Sequence, residues 1–280
     1  MGVGRQRRVL PGFGLTLGWT LSYLSFLVLI PLAALAGNAG SLGWDGWQRV
    51  LWGPRALAAY QVTFGAAFIA AGLNTVFGLA IAWILVRYRF PFRRLLDALI
   101  DLPFALPAAV GGIALTAIYA TNGPVGKYAE QWFGLQTAYS RTGIVLAMVF
   151  VSLPFVVRSV EPVLRDLDPE LEEAARSLRA SPPRVFLQVV LPQLIPALLA
   201  GFSLSLARGV GEYGAVIFMS QNLPMLSEVA SQLIVIRVEE PNLPAAAGIA
   251  MVLLAMAFVI LLAVNVLQSW SPAGRSRRRV

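Results

Sequence analysis

Long runs without a charged side chain constrain this chain more than any other feature of its sequence. No Asp, Glu, Lys or Arg falls between Arg8 and Asp45, Arg55 and Arg87, Asp101 and Lys127, or Arg141 and Arg158. A fifth apolar stretch runs from near Gln193 to about Phe218, interrupted only by Arg208 and Glu212. A sixth lies between Glu240 and Arg275 and is densest from Ala245 to Leu267. Crossing the ~30 Å hydrocarbon core of a bilayer takes about 20 apolar residues in a helix. Five stretches meet that length. The fourth holds 16 residues between its arginines, roughly 24 Å of helix, and Arg141 and Arg158 make up the difference by snorkelling outward. The pattern predicts an all-α, polytopic membrane protein with six transmembrane helices.

Arg5, Arg7 and Arg8 precede the first stretch, and Ala34-Leu35-Ala36 resembles a signal-peptide cleavage site. The apolar part, Leu15 to Ala36, is longer than the roughly 7–15 residues of a signal core and reads as a retained first helix. Gly14 and Gly18 at its edge form a lone GxxxG spacing. With six spans and the N-terminus inside, 16 of the 22 basic residues face the cytoplasm: Arg5, Arg7, Arg8, Arg87, Arg89, Arg93, Arg94, Arg158, Arg165, Arg176, Arg179, Arg184, Arg275, Arg277, Arg278 and Arg279. Arg49, Arg55, Lys127, Arg141 and Arg237 face the other side. This bias puts both termini in the cytoplasm. It divides the chain into a cytoplasmic N-terminus (1–14), a transmembrane domain (15–268) and a basic tail (269–280). It also assigns the net charge of +8 to topology and membrane lipid, with no need for nucleic acid.

The chain has no Cys and no His, which excludes disulfides, zinc–thiolate and iron–sulfur sites, and a His-based catalytic site. No catalytic residues, no metal ligands and no cofactor are expected on it. The single lysine, Lys127, follows Gly126 but precedes Tyr128, and Thr121 stands where a P-loop needs its first glycine. Gly209-Val210-Gly211-Glu212-Tyr213-Gly214 is a GxGxxG, but no strand precedes it and no βαβ unit surrounds it, so it reads as a small-residue segment of the fifth helix. Energy for any transport must come from a partner or an ion gradient.

One cytoplasmic loop, about 158–192, is more than a connector. Its 35 residues carry 11 of the 36 charges. Leu164, Leu167, Leu171, Ala174 or Ala175, and Leu178 recur at three- and four-residue steps, one stripe of an amphipathic helix. Asp168 before Pro169 is an N-cap with proline in the first turn, and Glu170, Glu172 and Glu173 sit at the positive end of the helix dipole. Ser181-Pro182-Pro183 ends the helix, and a short second helix spans about Arg184 to Val190. A surface helix lying on the bilayer is one reading; the acidic first turn favours a cytoplasmic protein partner.

Glu173-Ala174-Ala175, position 179, Val189 and Leu191-Pro192 have the spacing of the EAA loop that marks membrane subunits of bacterial ABC importers. Leu10-Pro11-Gly12-Phe13-Gly14, the segment 87–91, the segment 101–107, the segment 168–175 and Gly211-Glu212-Tyr213-Gly214 resemble the T-subunit family of sulfate/thiosulfate ABC importer permeases. The resemblance covers about Leu10 to Trp270. It implies an ABC type I importer permease architecture, a coupling helix at Glu173, Ala174, Ala175, Arg179, Leu191 and Pro192, and alternating access. It further implies a W-type second permease, a cytoplasmic ATPase dimer that carries ATP and Mg2+, a periplasmic sulfate/thiosulfate-binding protein, and residence in the bacterial inner membrane. The family has Gly where this chain has Arg179, and Ile where it has Val189. Gly suits a left-handed turn, which costs a non-Gly residue about 1–2 kcal/mol.

Arg208 and Glu212, at i and i+4 in the fifth span, share a helix face and can pair. Two readings stand: with Tyr213 they line or gate an anion pathway, or they form an internal ion pair that fixes packing. Asn74, Ser203, Ser205 and Asn265 are expected to join helices, Pro154 and Pro196 to kink theirs, and Pro103 and Pro107 to make the third span irregular. A homodimeric molybdate permease is the nearest rival. A gradient-driven secondary transporter is a more distant one, since no internal repeat and no second intramembrane carboxylate are evident.

Overall fold

The computed structural model describes residues 13–270, with side chains described for 13–266. Arg5, Arg7, Arg8, the Leu10-Pro11-Gly12 part of the N-terminal block, and Arg275, Arg277, Arg278 and Arg279 lie outside the described residues. Every regular element among the described residues is helical. The elements are α1 (Phe13–Gly40), α2 (Gly43–Leu51), α3 (Pro54–Arg87), α4 (Arg93–Ala105), α5 (Ala108–Tyr119), α6 (Gly126–Phe133) and α7 (Arg141–Arg165). They continue as α8 (Pro169–Ser177), α9 (Pro182–Val185), a π-helical turn (Phe186–Val190), α10 (Leu191–Val210), α11 (Val216–Met219), α12 (Ala230–Glu239) and α13 (Leu243–Trp270).

Five helices among the described residues are long and apolar enough to cross a bilayer: α1, α3, α7, the continuous Pro182–Val210 rod, and α13. The third charge-free run is broken. Its two halves, α4 and α5, meet at 119°, because Pro107 pushes Leu106 to extended geometry (φ −87°, ψ 138°) and cannot donate to the helix behind it. That broken pair still supplies a net crossing. Ala56 to Ala71 of α3 cluster with Ile144 to Val151 of α7, while Ala82 and Leu85 cluster with Val156 to Leu164. Helices α3 and α7 therefore run the same way, and the chain between them must return. Six crossings result, five continuous and one bent.

A stripe of small residues on α3 lets three helices approach closely. Ala56, Ala59, Thr63, Ala67, Ala70, Asn74, Gly78 and Ala82 are buried at three- and four-residue steps, facing α7 and α10. Val156 of α7 sits between two glycines. A β-carbon on Gly78 would lie 2.8 Å from its Cγ1, and one on Gly201 would lie 2.8 Å from its Cα. At the middle of this core Asn74 donates to Ser152 Oγ (2.9 Å) and Ser205 Oγ (3.1 Å), and Ser205 donates to Ser152 (2.9 Å). Asn74 and Ser205 thus join helices as expected. Ser203 instead bonds Leu199 O within its own helix, and Asn265 is exposed. Helix α13 packs on α10, α12 and α2, and α1 packs on α13. Nothing lies within 4 Å of a β-carbon built on Gly18, so this glycine of the GxxxG spacing makes no close helix contact.

Two spans depart from their sequence boundaries. Helix α7 runs 25 residues to Arg165 and passes straight through Arg158. Arg158 is held by three carboxylates, Asp97 (2.8 Å) and Asp101 (2.6 Å) of α4 and Glu161 (2.6 Å) of its own helix. The predicted separate helix over 184–190 is the first part of the fifth span, joined to α10 by the π-helical turn. Helices α7 and α10 are continuous across Pro154 and Pro196.

Candidate functional site

Asp168 caps α8 as its sequence predicts: the carboxylate accepts from Glu170 N (3.0 Å), with Pro169 in the first turn. The helix ends in a Schellman turn, Arg179 N donating to Arg176 O (2.8 Å) and Ala180 N to Ala175 O (3.1 Å). Arg179 holds the left-handed position of that turn, φ 62°, where the expected strain falls on a non-Gly residue. The apolar stripe divides in two. Leu164 and Leu167 join the chain's own core, whereas Leu171 (47% exposed) and Leu178 (85% exposed) are uncovered, as are Glu173 and Ala174. Ala175 and Leu191 are half-buried and Pro192 is exposed in the first turn of α10. The structure therefore separates the two parts of the candidate loop. Glu173, Ala174 and Arg179 lie on a projecting helix and its turn, and Leu191 and Pro192 at the root of a span.

The one buried residue of α8 is Glu172 (7% exposed), which the sequence marks only as part of an acidic first turn. Its Oε1 accepts from Arg87 Nη2 at the end of α3, and its Oε2 from Arg176 Nη2 (3.1 Å).

Arg208 and Glu212 do pair, Nη1 to Oε2 at 2.6 Å, but not within a helix. Helix α10 ends at Val210, and Glu212 lies in the turn that follows. Its other oxygen accepts from Ala215 N (2.8 Å), and its carbonyl accepts from Ser231 Oγ (2.8 Å). Glu212 is 1% exposed and so braces the 211–215 turn from inside. Two glycines of the segment serve close approach: Gly209 lies against Ala67 of α3 and Gly214 against Ala108 of α5. Arg208 is 36% exposed and borders a cavity of about 240 Å3, lined also by Pro103, Pro107, Gly111 and Phe150 at the bend of the broken span. Tyr213 is half-buried beside the pair in sequence and does not line that cavity.

Three further charge sites escape the sequence. Glu228 is buried and takes a two-point contact from Arg55, Nε to Oε2 at 2.8 Å and Nη2 to Oε1 at 2.7 Å. Glu161, buried within α7, takes Arg158 and Arg165. Helix α7 thus carries a buried carboxylate of its own, whereas Glu212 lies past the end of α10. Asp97 and Asp101 on α4 bind Arg158, pinning the bent helix to α7. The i, i+4 spacing of Asp97 and Asp101 was visible, but the partner lies 57 residues beyond Asp101.

Residues 74–272 match the family of binding-protein-dependent transport system inner membrane components. The chain belongs to this family. As an inner membrane component, it is the membrane permease of a binding-protein-dependent transport system. The sulfate transport system permease protein CysT of Salmonella typhimurium is 49% identical over 263 residues, covering 94% of this chain and 95% of that one. The protein of the same name from Synechococcus elongatus is 49% identical over 218 residues, 78% of each. Among solved structures, a bacterial alginate ABC transporter bound to its alginate-loaded periplasmic protein aligns at TM-score 0.73 with 16% identity, over 94% of this chain and 96% of its own. The inward-facing MetNI methionine ABC transporter aligns at 0.58 with 16% identity, over 76% and 94%. At that identity the likeness is one of fold, and the fold is that of ABC importer permeases.

Proposed function

We propose that this inner membrane component forms half of the pathway of an ATP-driven sulfate/thiosulfate importer, beside a W-type permease. A cytoplasmic ATPase dimer holds ATP and Mg2+, and a periplasmic binding protein delivers the oxyanion. The substrate rests on the relatives named as sulfate permeases, 49% identical over nearly the whole chain. The orientation, with both termini cytoplasmic, rests on the basic-residue bias and on six crossings, which return the chain to its starting side.

Coupling is assigned to α8 and its turn, with Glu173, Ala174, Ala175 and Arg179 meeting the ATPase and Leu191 and Pro192 carrying the motion into the fifth span. One observation supports it above all: a capped helix projects from the bundle with Leu171, Ala174 and Leu178 uncovered outside the apolar spans. An amphipathic helix exposes such a face only where a partner covers it. Arg208, Glu212 and Tyr213 are assigned to the pathway and its gate, supported by the cavity at the bend of the broken span into which Arg208 opens. A purely structural role for Glu212 has its own support in the Ala215 N–H bond.

The test is a reconstituted complex with both permeases, the ATPase and the binding protein. ATPase stimulation by sulfate-loaded binding protein, and cross-linking of Ala174→Cys to the ATPase, are the expected results. Stimulation by molybdate but not sulfate reassigns the substrate; an intact complex without the cross-link removes the coupling assignment.

A further inference from the structure

We propose that Glu172 is the positioning residue of the coupling loop: through Arg87 it ties α8 to the end of α3, so that movement of α8 reaches the central helix directly. This rests on the assignment of α8 as the ATPase-facing element and goes beyond it. That assignment alone routes motion along the backbone, through the turn at Arg179 and into α10.

The geometry provides a second route. Helix α8 packs on its own chain mainly against α9 and the π-helical turn, and its one buried side chain points back to the bundle, at Glu172. The Arg87 guanidinium that receives it lies over the Trp83 ring, 5.3 Å from the centroid. Trp83 in turn meets Phe186 of the π-helical turn edge to face, at 5.2 Å. Arg87 Nε is buried without a partner, and among the described residues Glu172 is the one anion paired with this side chain. An apolar contact slides under load because dispersion is non-directional; a charged pair largely out of water stays together because separation exposes two charges to a poor solvent.

What α3 does with the motion follows from its length. Its 34 residues span about 51 Å, well beyond the ~30 Å hydrocarbon core. It packs along α7 and α10 throughout. At its other end Arg55 holds Glu228, and Thr63 Oγ accepts from Ala230 N (2.8 Å). Between these ends Gly209, the residue after Arg208, rests on Ala67. The long helix thus has one ionic attachment at each end, with the Arg208 region lying against its middle.

The experiment uses the full reconstituted complex and reads sulfate taken up per ATP hydrolysed. Glu172→Gln and Arg87→Gln are each expected to lower that ratio at least ten-fold while the complex still copurifies. The double variant is expected to lose no more than either single one, because both break the same link. A ratio within two-fold of wild type in either single variant, or losses that multiply in the double variant, overturns the proposal. Since the chain has no cysteine of its own, Arg87→Cys with Glu172→Cys can be joined by a reducible bis-methanethiosulfonate cross-linker. Joining is expected to restore the ratio and reduction to abolish it again; equal ratios in the joined and reduced states overturn the proposal even if the Gln variants fail to assemble. Cross-linking of Ala174→Cys to the ATPase in the otherwise wild-type chain reports docking separately. Its absence removes the docking assignment and this link together, whereas docking with an unchanged uptake ratio removes the link alone.

Discussion

Replacement of Glu212 with Gln separates a gate from a brace, because the two roles predict different magnitudes. The carboxylate makes two contacts, Arg208 at 2.6 Å and Ala215 N at 2.8 Å. Gln keeps an oxygen for the Ala215 N–H but turns an amide donor toward the guanidinium. A hydrogen bond to a charged group contributes about 1.5–3 kcal/mol, and Arg208, more than a third exposed, recovers part of that by turning to its cavity. The net cost is about 1–2 kcal/mol. A folded domain has roughly 5–15 kcal/mol to lose from, so at least ~3 kcal/mol remains and about 99% of the protein stays folded. If Glu212 only braces the 211–215 turn, sulfate uptake by the assembled complex therefore stays at the wild-type level. If its charge gates the path, uptake falls ten-fold or more while assembly, read by copurification with the ATPase, is retained. Wild-type uptake in the assembled variant refutes the gate.

Three other outcomes follow from the packing. Arg179→Gly relieves a left-handed residue and is expected to raise stability by about 1 kcal/mol, read as a higher Tm in detergent; a lower Tm refutes the strained turn. Gly78→Ala places a methyl 2.8 Å from Val156 and is expected to cost about 1–3 kcal/mol despite the better helix propensity of Ala. Val156→Ala in the same chain should recover most of that loss, and additive losses in the pair would count against the interlock. Arg158→Gln leaves Asp97 and Asp101 without their cation and is expected to destabilise by about 1–2 kcal/mol, discounted because both acids are nearly half exposed. It should also speed proteolysis near the bend at Leu106; unchanged cleavage there refutes the pinning of α4 by Arg158.

Much of the architecture was legible because lipid imposes a strict one-dimensional rule: a span needs an uninterrupted apolar helix, and charge gaps mark it. The N-cap at Asp168 was legible from local chemistry, the left-handed strain at Arg179 from the family's glycine at that position, and the helix-joining role of Asn74 from the cost of an unpaired polar group in an apolar span. Where the sequence misled, the cause was a contact distant in the chain. Arg158 looked like the end of a span because its neutralising partners, Asp97 and Asp101, lie 61 and 57 residues away. Glu172 looked like one of three equivalent acids in a first turn, and only the fold turns it inward to Arg87.

The sequence by itself determined the solvent, the number of crossings and the place of the loop, since these depend on the order of apolar and charged residues along the chain. Only the tertiary structure decided which charges meet. Of the residues singled out, Arg208 and Glu212 were predictable as a pair from their four-residue spacing, yet the placement of Glu212 beyond the end of α10, bonded to Ser231 of α12, was not. The physical reason is that desolvated charge must find a partner, and the partner is chosen by which helices small residues such as Gly78, Gly201 and Gly209 allow to touch.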